Sequence, residues 1–150
     1  MLKVVLAAFA FAAALMGGGI ARAEEDLPQI SAEGRAGVDL KMEPFFRALQ
    51  SGDATGAYRD LFAGTLVESK TTEIAQLASQ TTFITTTYGA ISGWEVMSSE
   101  CVTPDFCKVR YIIRADKGPI GFWAYMYRQS SGEWSPNFVL IGTTPQFFFE

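Results

Sequence analysis

Apolar positions in this chain follow two different periods, and the change falls at Gly89. Before it, Val38, Met42, Phe45, Phe46 and Leu49 recur at the three-and-four spacing of a helix face, from Val38 to Leu49. Pro44 predicts that this helix starts close to it, because proline offers no backbone N–H to an established helix. Gly52 ends the run, and Asp53 is a good cap for a second short helix carrying Ala57, Tyr58, Leu61 and Phe62, closed by Gly64. From Ser69 to Tyr88 the residues Ile74, Leu77, Ala78, Thr81, Ile84 and Tyr88 share one helical face. Thr82, Thr85, Thr86 and Thr87 lower helix propensity there. We read a third helix, with Gly89 as its C-terminal cap.

After Gly89 the period is two. Ile91 to Cys101, Cys107 to Ala115, Ile120 to Gln129 and Trp134 to Ile141 read as four strands, separated by the turn residues Thr103-Pro104-Asp105, Asp116-Lys117-Gly118-Pro119 and Ser130-Ser131-Gly132. Connections this short predict an antiparallel meander. Helices first and sheet second is the α+β arrangement, with N-terminal helices packed on one face of a four-stranded antiparallel sheet.

The strands differ in how many faces are apolar. In the second, Val109, Tyr111 and Ile113 alternate with Lys108, Arg110 and Arg114, so one face is buried and the other is basic. In the third, Ile120, Phe122, Ala124 and Met126 point one way while Gly121, Trp123, Tyr125 and Tyr127 point the other. Both faces of that strand therefore need cover, since a contiguous exposed aromatic stripe is unusual in a monomer. Two covers are open: a second copy of the chain, making a homodimer, or the chain's own Phe147-Phe148-Phe149. Trp123, Tyr125, Tyr127, Arg110 and Arg114 are the candidate interface residues, because Arg beside aromatics is the composition of interface hot spots.

Upstream of the helices lies a different kind of segment. Lys3 is followed by an uncharged run from Val4 to Met16, then by Gly17-Gly18-Gly19 and the small-residue pair of Ala21-Arg22-Ala23. The apolar run is shorter than the roughly 20 residues that span a bilayer and has the form of a secretory signal peptide, residues 1–23, cleaved after Ala23. An uncleaved anchor counted through Ile20 is the alternative. Residues 24–37 show no apolar period and are expected to be a flexible lead-in to a single domain over 38–150. The expected location is periplasmic or secreted, with no membrane contact in the mature form.

Charge and composition then remove several functions. Taking Lys3 and Arg22 from the 12 basic residues leaves 10 against 16 acidic, a net charge of −6 without a basic run. Such a surface is poorly suited to nucleic acid, whose binding rests on phosphate neutralisation. The chain has no histidine, which removes Ser-His and Cys-His nucleophile systems and the commonest transition-metal ligand. No cofactor or metal is expected. Cys101 and Cys107 flank the first strand turn, and in an exported chain they are expected to form a disulfide.

Phe45-Phe46-Arg47-Ala48-Leu49-Gln50-Ser51-Gly52-Asp53, Ala57-Tyr58-Arg59-Asp60-Leu61-Phe62 and Tyr88-Gly89-Ala90-Ile91-Ser92-Gly93-Trp94, followed by four strands, resemble the nuclear transport factor two-like superfamily, its small exported bacterial members in particular. The resemblance implies three helices wrapped on a curved sheet into a cone whose hollow accepts a small molecule, and frequent dimerisation through the sheet. It does not select a function, since that fold hosts enzymes, carriers and assembly modules. Tyr58, Phe62, Tyr88, Trp94 and Tyr111 are the candidate lining of an apolar ligand pocket, aromatic side chains combining area with a polar tip. An accessory or inhibitory module of an envelope assembly is the alternative. Acid–base catalysis would need Asp60, Glu95 or Asp116 as base, with Tyr58 or Tyr111 as donor.

Overall fold

The computed structural model describes residues 27–149. Helix α1 runs over Ala32–Gln50, α2 over Ala54–Phe62 and α3 over Thr71–Tyr88. Strands β1 (Ile91–Thr103), β2 (Phe106–Ala115), β3 (Gly118–Arg128) and β4 (Trp134–Gly142) follow, and a short helix α4 occupies Gln146–Phe149. The strands form one antiparallel sheet in the order β1-β2-β3-β4, so the α+β meander read from the sequence is the fold. Register shifts at Ile91/Gly93, Val96/Ser98 and Cys101/Thr103 in β1, and at Tyr125/Met126 opposite β4, add the local twist that curves the sheet.

Helix α1 begins earlier than the sequence pattern suggests. Ser31 caps it, its hydroxyl accepting the Gly34 N–H at 3.1 Å, so residues 32–37 are helix rather than flexible lead-in. The segment before it is also tied down: the Pro28 carbonyl accepts from the Cys101 N–H at 2.8 Å and the Ile30 N–H donates to Ser99 Oγ at 3.2 Å. These long-range bonds to β1 carry no hydrophobic period, which is why the sequence conceals them. Residues 24–26, the proposed signal peptide and its cleavage site lie outside the described residues. Pro44 stands inside α1 on its exposed side, where the missing N–H bond is tolerated.

Asp53 caps α2 through its carboxylate and the Gly56 N–H, at 2.8 Å, as its sequence position predicts. In α3 the threonines do not break the helix. Thr82, Thr85 and Thr87 donate their hydroxyls to the carbonyls of Ala78, Thr81 and Phe83 one turn back, which keeps these polar groups satisfied without leaving helical geometry.

The inner face of the sheet presents Val109, Tyr111, Ile113, Ile120, Phe122, Ala124 and Met126, all at most 1% exposed, to Val38, Met42, Phe45, Phe46 and Leu49 of α1 and to α2. Gly37 allows α1 to sit directly on Trp134, whose ring occupies the place a Cβ would take. Cys101 and Cys107 are directly paired across β1 and β2 and are joined by a disulfide at the hairpin tip. No helix among the described residues is long and apolar enough to cross a membrane.

Candidate functional site

Three of the five residues expected to line a central pocket are instead packed in the core. Tyr58, Phe62 and Tyr111 are each at most 2% exposed, while Tyr88 and Trp94 are half-buried at the margin. Their rings meet one another and their neighbours: Phe45 lies 5.0 Å from Tyr58 and 5.0 Å from Phe122, and Phe46 lies 4.9 Å from Tyr111 and 5.3 Å from Trp94, centroid to centroid. The hollow of the cone is thus occupied by the phenylalanines of α1, a consequence of the Phe45-Phe46 pair pointing two large rings at the sheet. The Tyr58 hydroxyl is bonded to Thr81 Oγ1 at 2.8 Å, joining α2 to α3, whereas the Tyr111 hydroxyl is buried without a hydrogen bond. Burial raises the pKa of both phenols above its ordinary value, against the lowering effect of the Thr81 bond in Tyr58.

Several open concavities lie on the surface, and the one with the most extensive apolar wall is close to these residues but distinct. A groove of about 390 Å³ runs between α3 and β4, with Phe62 at its base, Val67, Ile74 and Leu77 on one wall and Phe138, Val139 and Leu140 of the edge strand on the other. Lys70, Glu73, Gln76, Gln80 and Asn137 form its polar rim. The groove exists because α3 buries only Ala78 and Thr81 completely; Ile74 and Leu77 remain half-buried beside the free edge of β4. The apolar stripe of α3 was visible in the sequence, but its distance from β4 was not. Phe62 alone is shared between this groove and the pocket residues expected from the sequence.

On the opposite face of the sheet, Trp123 and Tyr125 are half-buried and Tyr127 is 46% exposed. Tyr125 packs against Phe138 of β4 with ring centroids 5.8 Å apart, and Phe138 is itself 54% exposed. Arg114 is exposed, but Arg110 is 8% exposed and lies beneath the chain's own tail. Phe147 of α4 packs on Trp123 with ring centroids 5.1 Å apart and planes tilted by 47°, so part of the outer stripe has an intramolecular cover. The remainder, around Tyr125, Tyr127 and Phe138, has none among the described residues.

The candidate carboxylates do not converge. Asp60 is exposed and paired with Arg59, Glu95 is exposed on β1, and Asp116 is exposed in the β2–β3 turn, where it accepts the Ala90 N–H at 3.1 Å. None is hydrogen-bonded to Tyr58 or Tyr111. No group of three or more Cys, Asp or Glu suited to a metal ion occurs among the described residues.

With the fold in view, relatives can be compared. No protein-family model matches the chain. No curated protein matches it. Among solved structures it is similar to a Campylobacter jejuni protein provisionally named an NTF2-like transpeptidase, with a TM-score of 0.50 and 16% identity, over 66% of this chain and 94% of that one. The chain has the NTF2-like fold. At that identity the likeness extends to the architecture alone, helices wrapped on a curved antiparallel sheet, and the groove between α3 and β4 has to be read from this chain's own residues.

Proposed function

We propose that the protein is an exported, non-enzymatic binding protein that holds a small, mostly apolar molecule in the groove between α3 and β4. The observation that carries this reading is the groove itself: about 390 Å³ with apolar walls from two elements and a polar rim. That volume lies within the roughly 300–1,000 Å³ typical of small-molecule sites, and walls of this kind with a few polar groups at the mouth are what such sites present. Export is favoured by the form of residues 1–23 and by the Cys101–Cys107 disulfide, which suits an oxidising compartment. The neighbour's name attaches a transpeptidase activity, and acyl transfer requires a nucleophile activated by an adjacent base. Both cysteines of this chain are bonded to each other and it has no histidine, which favours binding over that chemistry.

Native mass spectrometry of the mature protein, purified gently from its own compartment, tests the reading. A retained small-molecule mass is expected, and Leu77→Asp, which places a charge on the apolar wall, should lose it while keeping the fold. Retention of the same mass by the Leu77→Asp protein would place the ligand elsewhere and refute the assignment.

A second reading rests on the outer sheet face. The uncovered Tyr125, Tyr127 and Phe138 cluster, with Arg114 exposed on the same sheet, favours association through this surface, as a homodimer or as an accessory module of an envelope assembly. Light scattering should then give a dimer mass that Tyr125→Lys with Tyr127→Lys, neither of them in the groove, reduces to the monomer. A monomer at all accessible concentrations, with no partner co-purifying, would leave only the groove.

A further inference from the structure

Arg110 is the most unusual charged residue in the structure. It is 8% exposed, makes no salt bridge among the described residues, and its Nε is buried there without a hydrogen bond. The other basic residue near it, Lys108, is paired with Glu100 at 3.3 Å. Glu95, across β1 and one step further along, is exposed and does not reach it. Directly opposite Arg110 on β1 is Ser98, on the same outer face, and its Oγ is also buried without a partner. A buried guanidinium without an anion is costly, and two adjacent unpartnered polar groups in a native fold call for an explanation.

Phe147 lies over the guanidinium and over Trp123 beside it. The Phe147 carbonyl accepts from Arg110 Nη2 at 3.4 Å and from the Trp123 indole Nε1 at 3.2 Å. The Phe147 ring lies where a Cβ on Gly121 or Gly142 would stand, so two glycines in adjacent strands form a slot of ring width next to Trp123. The guanidinium also lies 5.3 Å from the Trp123 ring centroid. Two donors therefore converge on one neutral oxygen at long distance, while the Arg110 Nε and the Ser98 hydroxyl beside them remain unused. An anionic oxygen pair would satisfy this donor set better than a carbonyl does, since guanidinium and carboxylate match in charge and in fork geometry.

We propose that the outer face of the sheet, from Ser98 on β1 to Gly142 on β4, carries a latent recognition site for an aromatic carboxylate, read by Arg110, Ser98 and Trp123 with the ring in the Gly121–Gly142 slot, and that Phe147 closes it in cis. The site is separate from the groove between α3 and β4. Phe147 is a competitor for this site: it supplies a ring and a neutral carbonyl oxygen, where the proposed ligand supplies a ring and a charge. Its tether gives it a high effective concentration, so a free ligand sees the wild-type site mostly closed.

The test uses the full chain with Phe147→Ala, a residue outside the helix–sheet core, and two probes, N-acetyl-phenylalanine and its neutral amide. Binding is read from the Trp123 indole N–H resonance, assigned by its loss in Trp123→Phe. The carboxylate probe should bind Phe147→Ala at least about tenfold more tightly than wild type, as expected when a competing tether is removed. It should also bind at least about tenfold more tightly than the amide, because a charge-assisted pair replaces a neutral one. Arg110→Lys in the Phe147→Ala background, which keeps the charge but removes Nε and the fork, should erase most of that carboxylate preference while leaving amide binding in place. Equal binding of the two probes would overturn the proposal, as expected if a water satisfies Arg110 and Ser98. So would failure of the carboxylate to bind Phe147→Ala at millimolar concentration, or an equal loss of both probes in Arg110→Lys.

Discussion

The Tyr58–Thr81 hydrogen bond is the one polar link in the buried contact between α2 and α3, and removing it gives the sharpest test of how the groove wall is held. Both residues are fully buried, and the oxygens are 2.8 Å apart. Tyr58→Phe and Thr81→Val each delete one partner, and each should cost about 1–2 kcal/mol, the net bond plus the penalty for the group left behind. The two costs should not be equal. In Tyr58→Phe the Thr81 hydroxyl has a fallback one turn back along α3, the device used by Thr82, Thr85 and Thr87. In Thr81→Val the Tyr58 phenol has no such neighbour, so this variant should be the less stable. Each single change should lower Tm by roughly 4–8 °C for a domain of this size. The double variant should lose little more than Thr81→Val alone, a coupling of about 1 kcal/mol in the cycle. Denaturant unfolding of the four proteins measures it. Strict additivity would show that the hydroxyls contribute independently, and that α3 is held by apolar contact alone.

Burial raises the Tyr58 and Tyr111 pKa above the ordinary 10.0, so above that pH the folded state binds more protons than the unfolded chain. Stability is therefore intact below pH 10.0 and falls as pH rises further, and alkaline unfolding followed by tyrosinate absorbance should be blunted in Tyr58→Phe; an unchanged alkaline slope would refute the burial cause. Reduction of Cys101–Cys107 should cost about 2 kcal/mol by the chain-entropy relation for so short a loop, and should leave the sheet intact by circular dichroism; global unfolding would refute it. Phe46→Ala should cost about 3–5 kcal/mol, because its ring touches Trp94, Tyr111 and Phe122 at the centre of the core, and a loss below about 1 kcal/mol in calorimetry would mean that the cone collapses around the gap.

Much of this architecture is written in the chain itself. The period change at Gly89, Asp53 before a helical run and the turn residues between strands fix the element order, because these are local properties of a few neighbouring residues. The alternation in β3 assigns Phe122 inward and Trp123 outward for the same reason, and the cross-strand position of the cysteines allows their bond. The identity of the concavity was not local. Aromatic residues at Tyr58 and Tyr111 read equally well as pocket or core, and only packing decided, since Phe45 and Phe46 of α1 reach the volume between them. The early start of α1 at the Ser31 cap is local, but the anchoring of the segment before it depends on bonds from Pro28 and Ile30 to β1, about 70 residues away in sequence, which no local pattern encodes. The groove arises from the stand-off between α3 and the edge of β4, and the burial of Arg110 from a tail that returns across the sheet. Sequence thus determined which face of each element is apolar; tertiary structure decided which of those faces meet, because that depends on side-chain volumes summed over elements far apart in the chain.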